Sequence, residues 1–478
     1  MLGRPSSASP VHSAAIMTTP RNLLVGILLS AGVVGSVLVA GSCHPCGSTN
    51  CVSTGASGDT FYTRVTTPQP SSSQPTDGSS NAGERKRVFP TAALVKPGKP
   101  CQATTAAASG GSASGRSILT RFAISTGSGS TCAITPAGRV KCWGSNSAGQ
   151  LGDGSTLSRH IASPVIGLNA GMVAVSSGSL HACSVNSSGA LFCWGTNDEG
   201  QLGDNSLEFK LSPSPVPGLA SDIVAVSAGG KHTCAIVSDG AVVCWGDRDM
   251  GQLGHTHRNN MIPTQVMGLD ACATAISAGW DHTCAITAGG KLWCWGSRAL
   301  GKTGIADDAA RGARVLSAMP VPSLQSGVMD VSAGARHTCA VTSGGAVRCW
   351  GSNTGGVLGN GNEQSSAVPT QVVGLNSGFV GVSVGEKDSC AVASSGKVMC
   401  WGSKYQSGQH DRSSSLFGPP QEIKGLGPGA VAVSVGNFHS CALIRNGKVM
   451  CWGDNDHGRL GNSTTRHSDE AVQVLNFP

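Results

Sequence analysis

Short runs that alternate apolar and polar positions recur through the last three quarters of the chain. Met172-Val173-Ala174-Val175-Ser176 alternates, and His181-Ala182-Cys183-Ser184-Val185 follows it. Ala190-Leu191-Phe192-Cys193-Trp194-Gly195 comes next, and a long polar stretch leads to Pro215-Val216-Pro217-Gly218-Leu219. Runs of this length with a period of two predict strands, four to a unit. The unit then repeats. Trp-Gly recurs with Trp at 143, 194, 245, 295, 350, 401 and 452, in steps of 51, 51, 50, 55, 51 and 51 residues. A period near 50 built from four short antiparallel strands predicts a propeller blade, and seven blades are a common number for ring closure. Residues 119–478 are read as the propeller, with Ala471-Val472-Gln473-Val474-Leu475 as the fourth strand of the seventh unit. A solenoid of β-strands is the alternative, although its rungs are usually shorter.

Composition agrees with an all-β chain rich in turns. Glycine numbers 68 of 478 residues, about twice the usual share, while charged residues make up 12%, about half of it. No three-residue glycine period exists, which excludes collagen, and heptads are absent, which excludes a coiled coil. The net charge of +7 is scattered, and aromatic residues make up 4%, so nothing points to nucleic acid.

The first 118 residues read differently. Arg21 precedes Leu23–Ala40, an uncharged apolar run, in the layout of an export signal, with Met17 as the expected start. The run ends Val39-Ala40-Gly41-Ser42-Cys43 and resembles a bacterial lipobox, which would make Cys43 a lipidated amino terminus. Ala40 departs from it at the position where Leu is usual. An ordinary cleaved signal and an uncleaved anchor helix are the alternatives. Residues 1–42 are thus read as signal, and 43–118, rich in Ser, Thr, Gly and Pro, as a disordered tether. The expected location is the cell envelope, outside the cytoplasm, with a membrane attachment through the lipid.

Seven units match, in part, Gly-x-x-His-Thr-Cys-Ala-Ile-x-x-x-Gly-x-Val-x-Cys-Trp-Gly-x-x-x-x-Gly-Gln-Leu-Gly, most fully from Gly229 to Gly254. This motif resembles the regulator of chromosome condensation repeat, and the resemblance covers about three quarters of the chain. It implies a seven-bladed propeller. Functions in that family range from nucleotide exchange on the small GTPase Ran to ultraviolet sensing and, in secreted members, β-lactamase inhibition. The chain departs from the motif at Ser130 and Asp388 in place of His, at Lys302-Thr303 in place of Gln-Leu, and at Gln409-His410 in place of Leu-Gly.

Fourteen of the nineteen cysteines fall in pairs ten apart: Cys132 with Cys142, Cys183 with Cys193, Cys234 with Cys244, Cys284 with Cys294, Cys339 with Cys349, Cys390 with Cys400, and Cys441 with Cys451. A three-residue loop ending in Gly separates the two strands, so that the members of each pair face one another across a hairpin. In an oxidising compartment they should close as disulfides; buried free thiols are the alternative. Two strand cysteines lack the further ligands that zinc requires. With Cys43 lipidated, Cys46, Cys51, Cys101 and Cys272 remain for two more bridges.

His181, His232, His282, His337 and His439 stand two residues before the first cysteine of their units. Their recurrence suggests a repeated hydrogen bond capping each blade's turn rather than a metal ring. The repeated Trp reads as packing between blades. No nucleophile elbow, phosphate loop or zinc-protease motif is present, so no catalysis, metal or cofactor is expected. A ligand would then sit on variable loops. The residues before each motif His and the third-to-fourth connections vary from unit to unit, while the Gly hairpins do not. Trp280, Asp281, Arg311, Arg314, Arg336 and Phe438 are the candidate contacts. The expected function is a monomeric, non-catalytic protein-binding scaffold. A polysaccharide ligand is the alternative, and nucleotide exchange by family analogy is a poorer one.

Overall fold

The computed structural model describes residues 124–305, 313–402 and 419–478 fully, and the backbone of two short strands nearer the amino terminus. The chain divides into two units, Met1–Val88 and Phe89–Pro478. In the first, Val52–Thr54 pairs antiparallel with Thr60–Tyr62. This short ladder lies within the stretch read as a tether, at its few β-favouring residues, Val52, Phe61 and Tyr62. Cys43, Cys46, Cys51, Cys101 and the apolar run 23–40 lie outside the described residues.

The second unit is a seven-bladed propeller. Each blade is a four-stranded antiparallel sheet with its strands in chain order. Blade 1 runs Ile124–Thr126, Ser130–Ile134, Val140–Gly144 and Arg159–Pro164. Blade 7 ends on Ser468–Gln473, which pairs Cys451 with Val472, so the last unit is complete. The fourth strand shrinks to two residues in blades 3 and 6, Thr264–Gln265 and Gln421–Glu422.

The hairpin of each blade sets the cysteine register. Thr135 N–H donates to Arg139 O and Gly138 N–H to Thr135 O, with Gly138 at φ 72° where other residues are strained. Counting back from the hydrogen-bonded pair 135/139 places Cys132 and Cys142 at a non-hydrogen-bonded pair, where facing strands approach most closely. Their Cα atoms are 4.1 Å apart and the sulfurs are bonded. The same bond joins Cys183 to Cys193, Cys234 to Cys244 and Cys284 to Cys294 in blades 2 to 4. It joins Cys339 to Cys349, Cys390 to Cys400 and Cys441 to Cys451 in blades 5 to 7. The expected partners therefore face one another in every blade with their sulfurs at disulfide distance. Cys272 is a half-buried free thiol.

Blades adhere through a repeated polar seam around buried tryptophan. Trp143, Trp194, Trp245, Trp295, Trp350, Trp401 and Trp452 are all fully buried. Trp245 Nε1–H donates to Gln201 O of the preceding blade at 2.9 Å, and Trp295 does the same to Gln252 O at 2.8 Å. Each such carbonyl takes a second donor: Thr233 Oγ1 reaches Gln201 O and Thr283 Oγ1 reaches Gln252 O, both at 2.9 Å. The motif histidine completes the seam, with His181 Nε2 2.9 Å from Thr233 Oγ1 and His232 Nε2 2.8 Å from Thr283 Oγ1. Since the hydroxyl gives its proton to the carbonyl, it accepts from the imidazole, which fixes the neutral Nε2–H tautomer. The histidine therefore joins its blade to the next, rather than capping its own turn as its place before the strand suggested.

The departures from the repeat make sense along this seam. Blade 1 has Ser130 for the histidine, and the hydroxyl position it would face in blade 2 is held by Ala182. Lys302 replaces the motif Gln in blade 4, yet its carbonyl still accepts Trp350 Nε1–H at 3.0 Å and Thr338 Oγ1 at 2.8 Å. The bond is made by backbone, so the side chain is free to differ.

A second ring lies nearer the axis. Ser125, Ser176, Ser227, Ser277, Ser332, Ser383 and Ser434 each accept, through Oγ, the inner-strand N–H of the following blade at 2.9–3.0 Å. The seventh link, Thr126 N–H to Ser434, closes the circle.

Candidate interaction face

In a four-stranded antiparallel blade, the first-to-second and third-to-fourth connections leave from one end. The Gly hairpins and the links to the next blade occupy the other. The hairpin end is nearly uniform: its seven glycines, from Gly138 to Gly447, hold φ between 72° and 87°.

At the loop end, seven glycines ring the axis: Gly127, Gly178, Gly229, Gly279, Gly334, Gly385 and Gly436. Each is packed so closely that an added Cβ would lie 2.1–2.5 Å from the carbonyl oxygen of the next. The turns continue the ring, with Ser179 N–H on Gly229 O at 3.1 Å, Gly230 N–H on Gly279 O at 2.9 Å and Trp280 N–H on Gly334 O at 3.2 Å. These turns enclose a shallow mouth of about 80 Å³, lined by small residues, by Ser128, Ser179 and Asn437, and by Trp280. Asn437 Nδ2 donates to Ser128 Oγ at 3.0 Å, and Ser128 and Ser179 share a hydrogen bond at 3.1 Å. The mouth is thus polar on blades 7, 1 and 2 and aromatic on blade 4.

One residue outward, the turns differ in every blade: buried Gly129, then exposed Leu180, Lys231, half-buried Asp281, and exposed Arg336, Lys387 and Phe438. Trp280 is 45% exposed and Phe438 39%. Lys231 is held by Asp198 at 2.7 Å and Glu199 at 3.5 Å, and the Asp198 hydrogen bond raises its pKa. Arg336 lies 3.6 Å from Glu386. Arg459 sits over the Phe438 ring at 4.7 Å and pairs with Asp454 at 2.5 Å.

The other sequence candidates are committed elsewhere. Asp281 pairs with the buried ammonium of Lys302, and Arg314 Nη1 donates to Asp249 O at 2.6 Å, tying blade 4 to the loop of blade 3. Arg311 lies outside the described residues. The imidazoles are buried in the seam. Burial pushes His181 down to about 4 and His232, His337 and His439 to about 3, and holds His282 well below its usual range. Asp454, Asp456 and His467 gather at one loop of blade 7, but Asp454 already accepts from Arg459 and from Asp456 N–H.

Two features escape a reading of the sequence. The ring serines do not stand out in it, although Ser stands two residues before the turn glycine in every unit. An asparagine clamp is equally hidden. Asn146, Asn197, Asn353 and Asn455 each stitch their third-to-fourth loop; Asn353 Nδ2 reaches Asn360 Oδ1, Asn362 O and Gln364 O, and its Oδ1 takes Leu358 N–H. Blades 3 and 4 carry Arg248 and Arg298 at that position, and in blade 3 Arg248 Nη1 donates to Arg258 O at 3.0 Å.

Among known families, the RCC1-like domain profile matches residues 162–477, and the regulator of chromosome condensation (RCC1) repeat matches 123–150. Human E3 ubiquitin-protein ligase HERC2 is 33% identical over 358 residues, which is 73% of this chain and 6% of that protein. The ultraviolet-B receptor UVR8 of Arabidopsis thaliana is 27% identical over 362 residues, covering 74% of this chain and 70% of the receptor. Among solved structures, Prp20p from Saccharomyces cerevisiae, described with its binding to Gsp1p and histones, is similar with a TM-score of 0.64 and 19% identity. That match covers 72% of this chain and 87% of Prp20p. Human WBSCR16 is similar with a TM-score of 0.59 and 20% identity, covering 70% of this chain and 94% of that one. At such identities the structural likeness speaks for the fold alone.

Proposed function

This chain belongs to the RCC1-like domain family, and on that premise we propose that it is an exported, disulfide-clamped propeller that binds a protein partner through its loop face without catalysing a reaction. One observation supports this above the others. The blades are alike at the hairpin end and different at the loop end, where Trp280, Leu180 and Phe438 are exposed among Lys231, Arg336 and Lys387. A rigid scaffold presenting unlike residues is how binding surfaces are built, and Trp and Arg are their commonest anchors. That Prp20p is described with protein partners fits the same use of the fold.

Export is supported by the seven hairpin disulfides, which persist in oxidising compartments. No helix among the described residues is long and apolar enough to cross a membrane. The apolar run 23–40 lies outside those residues, and its lipobox-like end carries the reading of attachment through a lipid on Cys43; Cys43→Ser should release the protein from the membrane fraction and abolish acyl labelling, whereas unchanged retention would reject the lipid in favour of an anchor helix.

The polysaccharide alternative calls for two aromatic rings about one pocket. Trp280 is the one aromatic residue among those described as lining the mouth, and Arg459 covers a face of Phe438, so the mixed surface favours protein. Crosslinking of the full chain to envelope proteins tests the reading. Trp280→Ala should weaken capture by about tenfold or more at an unchanged melting temperature, whereas Ser187→Ala on the hairpin face should not. Equal capture by both variants would place the binding surface elsewhere.

A further inference from the structure

The rim from blade 4 to blade 7 differs from the rest of the loop face. In ring order it presents Trp280, Arg336, Lys387 and Phe438, all exposed. Blades 4 and 7 are also the two in which a cation replaces the Gln of the repeat, and each cation serves the aromatic residue of its own blade. Lys302 pairs with Asp281, which neutralises the carboxylate beside Trp280, and Arg459 lies over Phe438. Gly230 and Ala335, the ring neighbours of Trp280, are too small to cover its indole. Between the two rings, Glu386 is the one carboxylate near Arg336, at 3.6 Å, and Lys387 has no ion-pair partner among the described residues. At the corresponding turns across the mouth, Lys231 faces both Asp198 and Glu199, blade 2 presents Leu180 and blade 1 Gly129, while the exposed Arg248 and Arg258 of blade 3 stand on its outer loop. Among the described turn residues about the mouth, the cations with the fewest carboxylates near them, Arg336 and Lys387, therefore stand side by side on one arc, bracketed by aromatic surface.

We propose that this arc recognises an acidic segment of the partner protein, its carboxylates on Arg336 and Lys387 and its flanking apolar side chains on Trp280 and Phe438. The inference rests on the protein-binding reading above and names its chemistry. Arginine presents a planar fork suited to a carboxylate, and a lysine without a partner gains more from one than a lysine already paired. The chain Asn437–Ser128–Ser179 offers hydrogen bonds to a backbone crossing the mouth.

The test is to pan a random dodecapeptide library on the immobilised full-length chain. Enriched peptides should carry Asp or Glu beside Leu, Phe, Tyr or Trp. Their affinity should fall about tenfold or more in Trp280→Ala and in the double variant Arg336→Glu/Lys387→Glu, and stay unchanged in Ser187→Ala. It should also weaken several-fold as salt rises from roughly 50 to 300 mM, as exposed ion pairs do. Thermal melting of each variant separates lost binding from lost folding. Enrichment of peptides without acidic residues, no enrichment, or affinities that the arc substitutions leave untouched would each overturn the assignment. Partner capture that survives the arc substitutions would reject this inference while leaving the broader reading in place; failure of the wild-type chain to capture any protein would reject both.

Discussion

At Gly229 one added carbon meets backbone on the far side of the seam. Its Cβ would lie 2.4 Å from Gly279 O and 2.6 Å from His232 Cε1, neither of which can swing away as a flexible side chain would. The requirement is one of space, since this glycine does not hold a positive φ. Gly229→Val should therefore destabilise the propeller by about 3 kcal/mol or more, through overpacking at a position the whole ring depends on. Denaturant unfolding measures it, and a variant within about 0.5 kcal/mol of wild type would show that the ring can relax. The neighbouring histidines follow the same logic by a different route. Each places Nε2 on a hydroxyl of the next blade and leaves Nδ1 buried without a hydrogen bond, so a second proton would be a charge buried away from water, although at His282 Asp281 lies 3.9 Å from Nδ1.

The hairpin with its bridge is the element that repeats most faithfully. Short strands and a tight glycine turn already bring the two cysteines together, so the bond chiefly restricts the unfolded chain. Replacing Cys234 and Cys244 together with Ala should cost about 2–3 kcal/mol by that argument, less whatever order the free hairpin retains. Peptide mapping without reduction should recover Cys234 linked to Cys244; labelling of all fourteen repeat thiols under denaturing, non-reducing conditions would contradict it. The long loops rely on the asparagine clamp instead. Asn353→Ala should cost about 1–3 kcal/mol, because it strands buried backbone groups at both ends of one loop. Hydrogen exchange at Leu358 N–H should quicken most, and uniform exchange across the blade would argue against a local clamp.

For the whole molecule the decisive seam is the one joining blade 7 to blade 1. No strand is exchanged between the two: residues 124–164 make all of one blade and 430–473 all of the other. The seam is closed by His439 Nε2 on Thr131 Oγ1 at 2.5 Å, Trp143 Nε1–H on Arg459 O at 2.9 Å, and Phe477 edge-on to Trp143. Phe477→Ala should weaken this interface by about 3 kcal/mol, as removal of a buried ring does. Acid should act on several seams at once. The unfolded chain protonates its histidines near 6.5, whereas the folded seams resist until about 3–4. In that window the unfolded state binds more protons, so stability falls as pH falls, fully retained above 6.5. Lys302 near His282 and Arg459 near His439 add to the effect, while Asp198 opposes it at His181. Urea unfolding between about pH 7 and 4 should show uptake of several protons, and His232→Gln should lessen that slope; a flat profile would mean the imidazoles are solvated.

The repeat, its seven-fold count and the facing cysteines were legible in the residues themselves, because strand period, turn glycine and hairpin register are local. Three links from Thr135 to Cys132 suffice to place one sulfur opposite the other, and the same count holds at Cys294, Cys349 and Cys400. The seam between blades was not legible, since His232 and Thr283 are 51 residues apart and nothing local tells a turn cap from a bond to the next blade. The role of the ring serines is hidden for the same reason: their partners are backbone N–H groups, which leave no mark in a sequence. Likewise, Trp280, Arg336 and Phe438 stood out as unlike their counterparts. That Asp281 is neutralised by Lys302, that Arg314 is engaged by a carbonyl, and that Lys387 joins the arc depend on which charges the ring brings within reach. The sequence determines each blade because a blade's bonds are local. The tertiary structure alone decides how a face is charged, because charges separated by whole blades meet only once the circle is closed.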